Sequence, residues 1–159
     1  MNTSRRRLHA LLVLAPTMLW ACASVPPPAA TEKSAREFAA TFLRAFENLD
    51  MASFIECFAE DATVFFPMPE RPMRYDGRGA IRERFQEVFN AIKGDSTAGP
   101  PYHRLDPEQL HVQVFDEDTA VVSFHLTSAS RVARRTLVLH REGGRWLIAH
   151  LHASNTVTP

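Results

Sequence analysis

The hydrophobic period changes once along this chain, and that change limits the folds open to it. In the first half, apolar residues recur every three or four positions. Phe38, Phe42, Ala45, Phe46 and Leu49 form one stripe, and Ile81, Phe85, Val88, Phe89 and Ile92 form another. That is the period of a helix with one buried face. From residue 110 onward apolar residues alternate instead, with Val112 and Val114 on one side, then Val122, Phe124 and Leu126, then Leu137 and Leu139. Helices first and strands afterwards predict an α+β domain, with three N-terminal helices packed on a curved antiparallel β-sheet.

Local signals divide the chain further. The first helix is expected from near Glu32, and Asp50 can cap a short second helix carrying Phe54, Ile55 and Phe58. Residues 62–66 read as a strand stopped by Pro67, and 68–79 as a loop rich in Pro and Arg. The third helix should stop at Gly94. Four strands follow over 110–115, 120–128, 134–141 and 145–154, with turns at Asp116-Glu117-Asp118 and Gly143-Gly144. The sides carrying Val122 and Leu137 should meet the helices. The opposite side carries His111, Gln113, Ser123, His125, Thr127, Thr136 and His140. It is polar but weakly charged, which suits either water or a second subunit.

The start of the chain has a different character. Arg5, Arg6 and Arg7 precede an apolar run, and the small residues Ala21, Cys22, Ala23 and Ser24 follow it. This is the layout of an export signal, too short to span a bilayer as a permanent helix. Leu19-Trp20-Ala21-Cys22 resembles a lipobox, in which Cys22 would carry lipid. Ala21-Cys22-Ala23 also fits ordinary cleavage between small residues. Pro26-Pro27-Pro28 then begins an extended spacer. The expected organisation is a signal peptide over 1–21, a proline-rich tether over 22–31, a domain over 32–155 and a tail over 156–159. The domain would lie on the periplasmic side of a bacterial membrane as a lipoprotein, or be secreted or periplasmic.

Composition excludes some partners. The 45% hydrophobic residues are enough for a core, and 23% charged residues argue against disorder. The signal holds three arginines and no acid, so its removal takes a neutral chain to a net charge of −3. No basic patch remains to recruit nucleic acid. Cys57 is then the one thiol besides Cys22, so no internal disulfide forms within the domain once Cys22 is lipidated or removed.

Candidate site residues come from two groups. The first is aromatic: Phe38, Phe42, Phe46, Phe65, Phe66, Phe85, Phe89, Phe124 and Trp146. Some of these should line a hollow under the sheet, with Phe42, Phe46, Phe66, Phe85, Phe124 and Trp146 as pocket residues; the rest form ordinary core. Tyr75, with Arg74 and Asp76, lies on the loop expected to overhang the mouth. The second group is His150 and His152, which alternate onto one face of the last strand together with Trp146 and Ile148. They are candidate acid/base groups. Two histidines at that spacing could also begin a metal site, but a third ligand would have to come from His125 or His103, so no metal is expected. Arg134-Arg135 reads as a solvated strand end.

The order of these elements resembles the nuclear-transport-factor-2-like superfamily. Asp61-Ala62-Thr63-Val64 and Gly77-Arg78-Gly79-Ala80-Ile81-Arg82 resemble the front half of ketosteroid isomerases and SnoaL-like proteins. His140-Arg141-Glu142-Gly143-Gly144-Arg145-Trp146 and His150-Leu151-His152-Ala153-Ser154 are similar to the association domain of calcium/calmodulin-dependent kinase. The resemblance runs from about Glu32 to Asn155 and implies a cone-shaped, cystatin-like α+β barrel. It also implies where isomerase chemistry would sit. The base position is Phe66, the tyrosine position is Phe42, and the second acid maps near Thr136. None carries the needed group. The association domain places a pocket arginine where this chain has Leu137, so the pocket reads as more apolar than in either relative.

These readings point to an exported, lipid-anchored small-molecule-binding or accessory protein, a homodimer with a mostly apolar pocket and no cofactor. A hydrophobic small molecule and the membrane, through the anchor, are the candidate partners. The alternative is a SnoaL-like enzyme of isomerase, cyclase or hydrolase type, acting on a hydrophobic substrate with a histidine acid/base. A purely structural domain with a filled core is the third reading.

Overall fold

The computed structural model describes residues 28–68, 73–97, 99–128 and 130–157. The first helix, α1 (Pro28–Glu47), begins four residues before the expected Glu32, so the end of the expected tether is helical. Proline suits a first turn, where its missing N–H is not needed. The helix buries Thr31, Ala35, Ala39, Phe42 and Leu43 along one side. It ends where Leu49 turns left-handed (φ 51°). The N–H groups of Leu49 and Asp50 then bond back to the carbonyls of Phe46 and Ala45, both at 2.9 Å. Asp50 caps α2 (Met51–Ile55), its Oδ1 accepting from the Ser53 N–H at 3.1 Å. Hydrogen bonding from Ser53, first its side chain and then its backbone, holds the Asp50 carboxyl below its ordinary range.

The remaining elements are β1 (Phe58–Phe65), β2 (Arg74–Asp76), α3 (Arg78–Asp95), β3 (Glu108–Val114), β4 (Thr119–Ser128), β5 (Arg131–Glu142) and β6 (Arg145–Val157). The sheet order is β2-β1-β6-β5-β4-β3. Every neighbour is antiparallel except β1 and β6, which run parallel. Strand β2 lies inside the expected loop 68–79. Its three residues pair with Thr63, Val64 and Phe65, a run too short to show a period. Strand β6 runs through Val157, past the expected boundary of the tail at 156.

The sheet curves without closing, so the expected barrel is an open one: β2 and β3 are its two edges. Register shifts mark β1 against β6, β3 against β4, and β5 against β6. Bulges of this kind bend strands. Helix α1 lies over β3 and β4, α3 over β1 and β2, and α2 fits between the two helices.

An aromatic cluster fixes that arrangement. Phe54 and Phe58 are wholly buried. The Phe54 ring lies 5.1 Å from Phe42 on α1 and 4.6 Å from Phe85 on α3. Truncating Phe54 to alanine would cost about 3–5 kcal/mol. At the far end, the Trp146 indole N–H donates to Ser34 Oγ at 2.9 Å. The Arg141 guanidinium stacks 4.3 Å above the Trp146 ring. This contact ties the β5–β6 hairpin to α1. The hairpin turns through Gly143 and Gly144, whose φ values of 56° and 79° demand glycine-like freedom.

Candidate functional site

Helices and sheet do not fill the space between them. A cavity of about 530 Å³ remains, within the range that holds small molecules. Its apolar wall comes from every layer. Helix α1 supplies Phe42 and Phe46, α3 supplies Phe85 and Val88, and the strands supply Val64, Phe124, Leu126, Leu151 and Ala153. Phe66, Pro67 and Met68 close one side of the mouth; His103, Arg104, Leu105 and Asp106 close another. The second segment is held by the end of α1. Glu47 Oε1 accepts from the Leu105 N–H at 2.7 Å, and the Glu47 carbonyl accepts from Tyr102 at 2.9 Å.

Of the aromatic residues singled out in the sequence, Phe42, Phe46, Phe66, Phe85 and Phe124 line the cavity. Tyr75 does not: it stands behind Phe66, ring centroids 5.3 Å apart. Trp146 is at the opposite end of the domain in the α1 contact described above, because its indole N–H needs a buried acceptor and Ser34 provides one. Phe65 points out of the other sheet face and is 36% exposed. Cys57 is buried under α2, its thiol pushed up to about 11 by burial and by Glu56. It is an inert core group.

The two histidines also fall outside the cavity. In the β5–β6 ladder Ile148 pairs with Leu139 and His150 with Val138, so one extra residue, Ala149, is taken up between them. That bulge flips the strand. Ile148 and Leu151 face the core, while His150 and His152 face the opposite side with Phe65 and Thr63. The expected common face with Trp146 and Ile148 is therefore broken, and the pair has no access to the cavity as an acid/base. His150 Nδ1 lies 2.7 Å from Thr63 Oγ1. Burial, then His152 and Arg74, hold its imidazole below the ordinary range. Among the described residues no three His, Cys, Asp or Glu side chains gather to hold a metal.

A polar residue the sequence reading had placed in solvent lines the cavity instead. Arg135 sits on the inner face of β5, between Phe124 of β4 and Ala153 of β6. The signal was present: Leu137 and Leu139 face the core, and a period of two carries that face back to Arg135. Nη1 donates to the carbonyls of Arg134 (2.8 Å) and Ser154 (3.2 Å). Burial, then the neighbouring Arg131, lowers its pKa to about 10, so the guanidinium stays charged at neutral pH. Asn155 also lines the cavity, with its Oδ1 buried and unpartnered. The cavity is thus an apolar chamber with a cation in its wall, less uniformly apolar than Leu137 had suggested.

Residues 35–158 match the family model of the SnoaL-like domain. The chain belongs to the SnoaL-like family. Solved structures share the fold of this SnoaL-like domain. An NTF2-like protein of unknown function from Pseudomonas putida KT2440 aligns with a TM-score of 0.65 and 19% identity, over 82% of this chain and 89% of that one. A candidate dehydratase of the NTF2-like family from Streptomyces avermitilis gives 0.67 and 17%, over 83% and 100%. A ketosteroid isomerase-like protein from Erwinia carotovora atroseptica gives 0.62 and 19%, over 80% and 97%. At these identities the likeness is one of fold. A comparison with curated proteins finds no match. Within this SnoaL-like domain, Phe42 and Phe66, the implied tyrosine and base positions, do line the cavity. Thr136, the implied second acid position, pairs with Ser123 and His152 on the outer face.

Proposed function

We propose that this SnoaL-like domain binds a small apolar molecule in the cavity beneath its sheet. One observation carries the reading: about 530 Å³ of space walled by Phe42, Phe46, Phe66, Phe85 and Phe124. Apolar surface of that kind gains free energy when a ligand displaces its water, roughly 25 cal/mol per Å² covered. Phenylalanine stands at the positions where isomerase relatives carry a base and a donor, which favours binding over proton transfer at that spot. Titration with the neutral fluorophore N-phenyl-1-naphthylamine, on the wild type and on a variant with the cavity filled, tests the reading.

The domain acts outside the cytoplasm in this account, anchored by lipid on Cys22, which lies outside the described residues. The lipobox-like Leu19-Trp20-Ala21-Cys22 supports that placement. Mass spectrometry of membrane-extracted protein should find diacylglycerol on Cys22, and an unmodified N-terminus at Ala23 or Ser24 would refute it. We further propose a homodimer formed through the outer sheet face. Among the described residues no helix covers that face, and Ser123, Thr136, Val121 and Val138 on it are uncharged and half-buried.

A further inference from the structure

A half-buried cation in an apolar wall needs a reason. Arg135 is the charged side chain set deepest along β5 in the cavity wall, with Ala133 and then Arg131 following towards the mouth on the same face. Asp106 and Glu108 also line the cavity, yet among the described residues no carboxylate forms an ion pair with Arg135. A guanidinium moved from water into an apolar wall without a counter-charge is unfavourable.

The way Arg135 is held narrows the role. Its Nη1 is tethered to two backbone carbonyls, Arg134 and Ser154, which fix the plane of the guanidinium. No described residue accepts from Nε or Nη2. Those two atoms form the side-on edge that grips a carboxylate with two parallel hydrogen bonds. An immobilised fork with one edge free, beside the Phe124 ring and an apolar chamber, is built to meet an anion attached to something greasy.

We infer that the cavity takes an amphipathic organic acid, an aliphatic or aromatic body with a single carboxylate, held by Arg135. This rests on the apolar-binding reading above and adds the charge of the ligand. The apolar body would lie against Phe42, Phe46 and Phe85, and the carboxylate would accept from Nε and Nη2 of Arg135. The unpartnered Asn155 Oδ1 could accept from a hydroxyl on the same ligand. A phosphate would want more than one cation with donors free, and Arg131 and Arg104 lie nearer solvent, both exposed.

The test is displacement of N-phenyl-1-naphthylamine by decanoate and by 1-decanol, two chains that differ in the head group. It is run on the wild type, Arg135→Gln and Arg134→Gln. Arg134 is the exposed neighbour on the opposite face, bonded to Thr156 Oγ1, and controls for surface charge. Arg135→Gln should raise the decanoate concentration needed for displacement at least about tenfold, a loss of 1.4 kcal/mol. It should leave decanol within about twofold, and Arg134→Gln should change neither. Equal losses for decanoate and decanol, no loss for either, or the same decanoate loss in Arg134→Gln would overturn the inference while leaving the apolar pocket in place. Failure of the wild type to bind the fluorophore would overturn both.

Discussion

Arg135 and Phe124 face each other across the β5–β4 ladder, a cation and an aromatic ring side by side on the wall of one cavity. The first prediction follows from the missing counter-charge. In the empty protein Arg135 bears a desolvation cost that a ligand would relieve. Arg135→Met keeps an unbranched apolar stem and removes the charge. It should raise the stability of the unliganded domain by about 1 kcal/mol, or roughly 2–4 °C in thermal midpoint. Thermal unfolding of ligand-stripped protein checks this, and a clear loss of stability would mean that Arg135 holds the fold together.

The second prediction concerns pH. The folded state holds His150 below the ordinary imidazole pKa of 6.5, chiefly by burial. The unfolded chain therefore binds the proton first as pH falls. Stability from the neutral ring is complete above 6.5 and is lost as pH drops through the folded value. The thermal midpoint of the wild type should fall between about pH 7.5 and pH 5 more steeply than that of His150→Gln. Parallel slopes would show that His150 does not contribute.

The third prediction concerns the outer sheet face. Ser123 pairs with His111 and Thr136 in the middle of that face. A charged side chain there would be desolvated without a partner in a face-to-face dimer. Ser123→Arg should convert a dimer into a folded monomer at micromolar concentration, as read by light scattering. A wild-type monomer under the same conditions would remove the proposal.

Much of the fold was legible in the sequence because period and burial agree. The Phe42/Phe46 and Phe85/Phe89 stripes became the helices over the sheet, and the Val122–Leu126 and Leu137–Leu139 alternations became its inner face. Two things were not legible, each for a local reason. Strand β2 has three residues and shows no period. The bulge at Ala149 ends a run, Trp146 to Ala149, that is apolar on both faces, so hydropathy could not show where alternation breaks. Arg135 was legible by register, two residues before Leu137 on the same face, although its charge by itself suggests a solvated strand end. Arg135 adds a charge to the β5 wall of the cavity, deeper than Arg131 on the same strand.

The most direct test of the central claim is the affinity of the neutral fluorophore for the wild type and for Ala153→Trp. Ala153 is buried in the cavity wall beside Arg135, and an indole there would occupy the space a ligand needs. The account predicts saturable binding to the wild type. It predicts binding at least about tenfold weaker to a variant that still unfolds cooperatively. Absence of saturable binding to the wild type, or equal affinity for the two proteins, would contradict it.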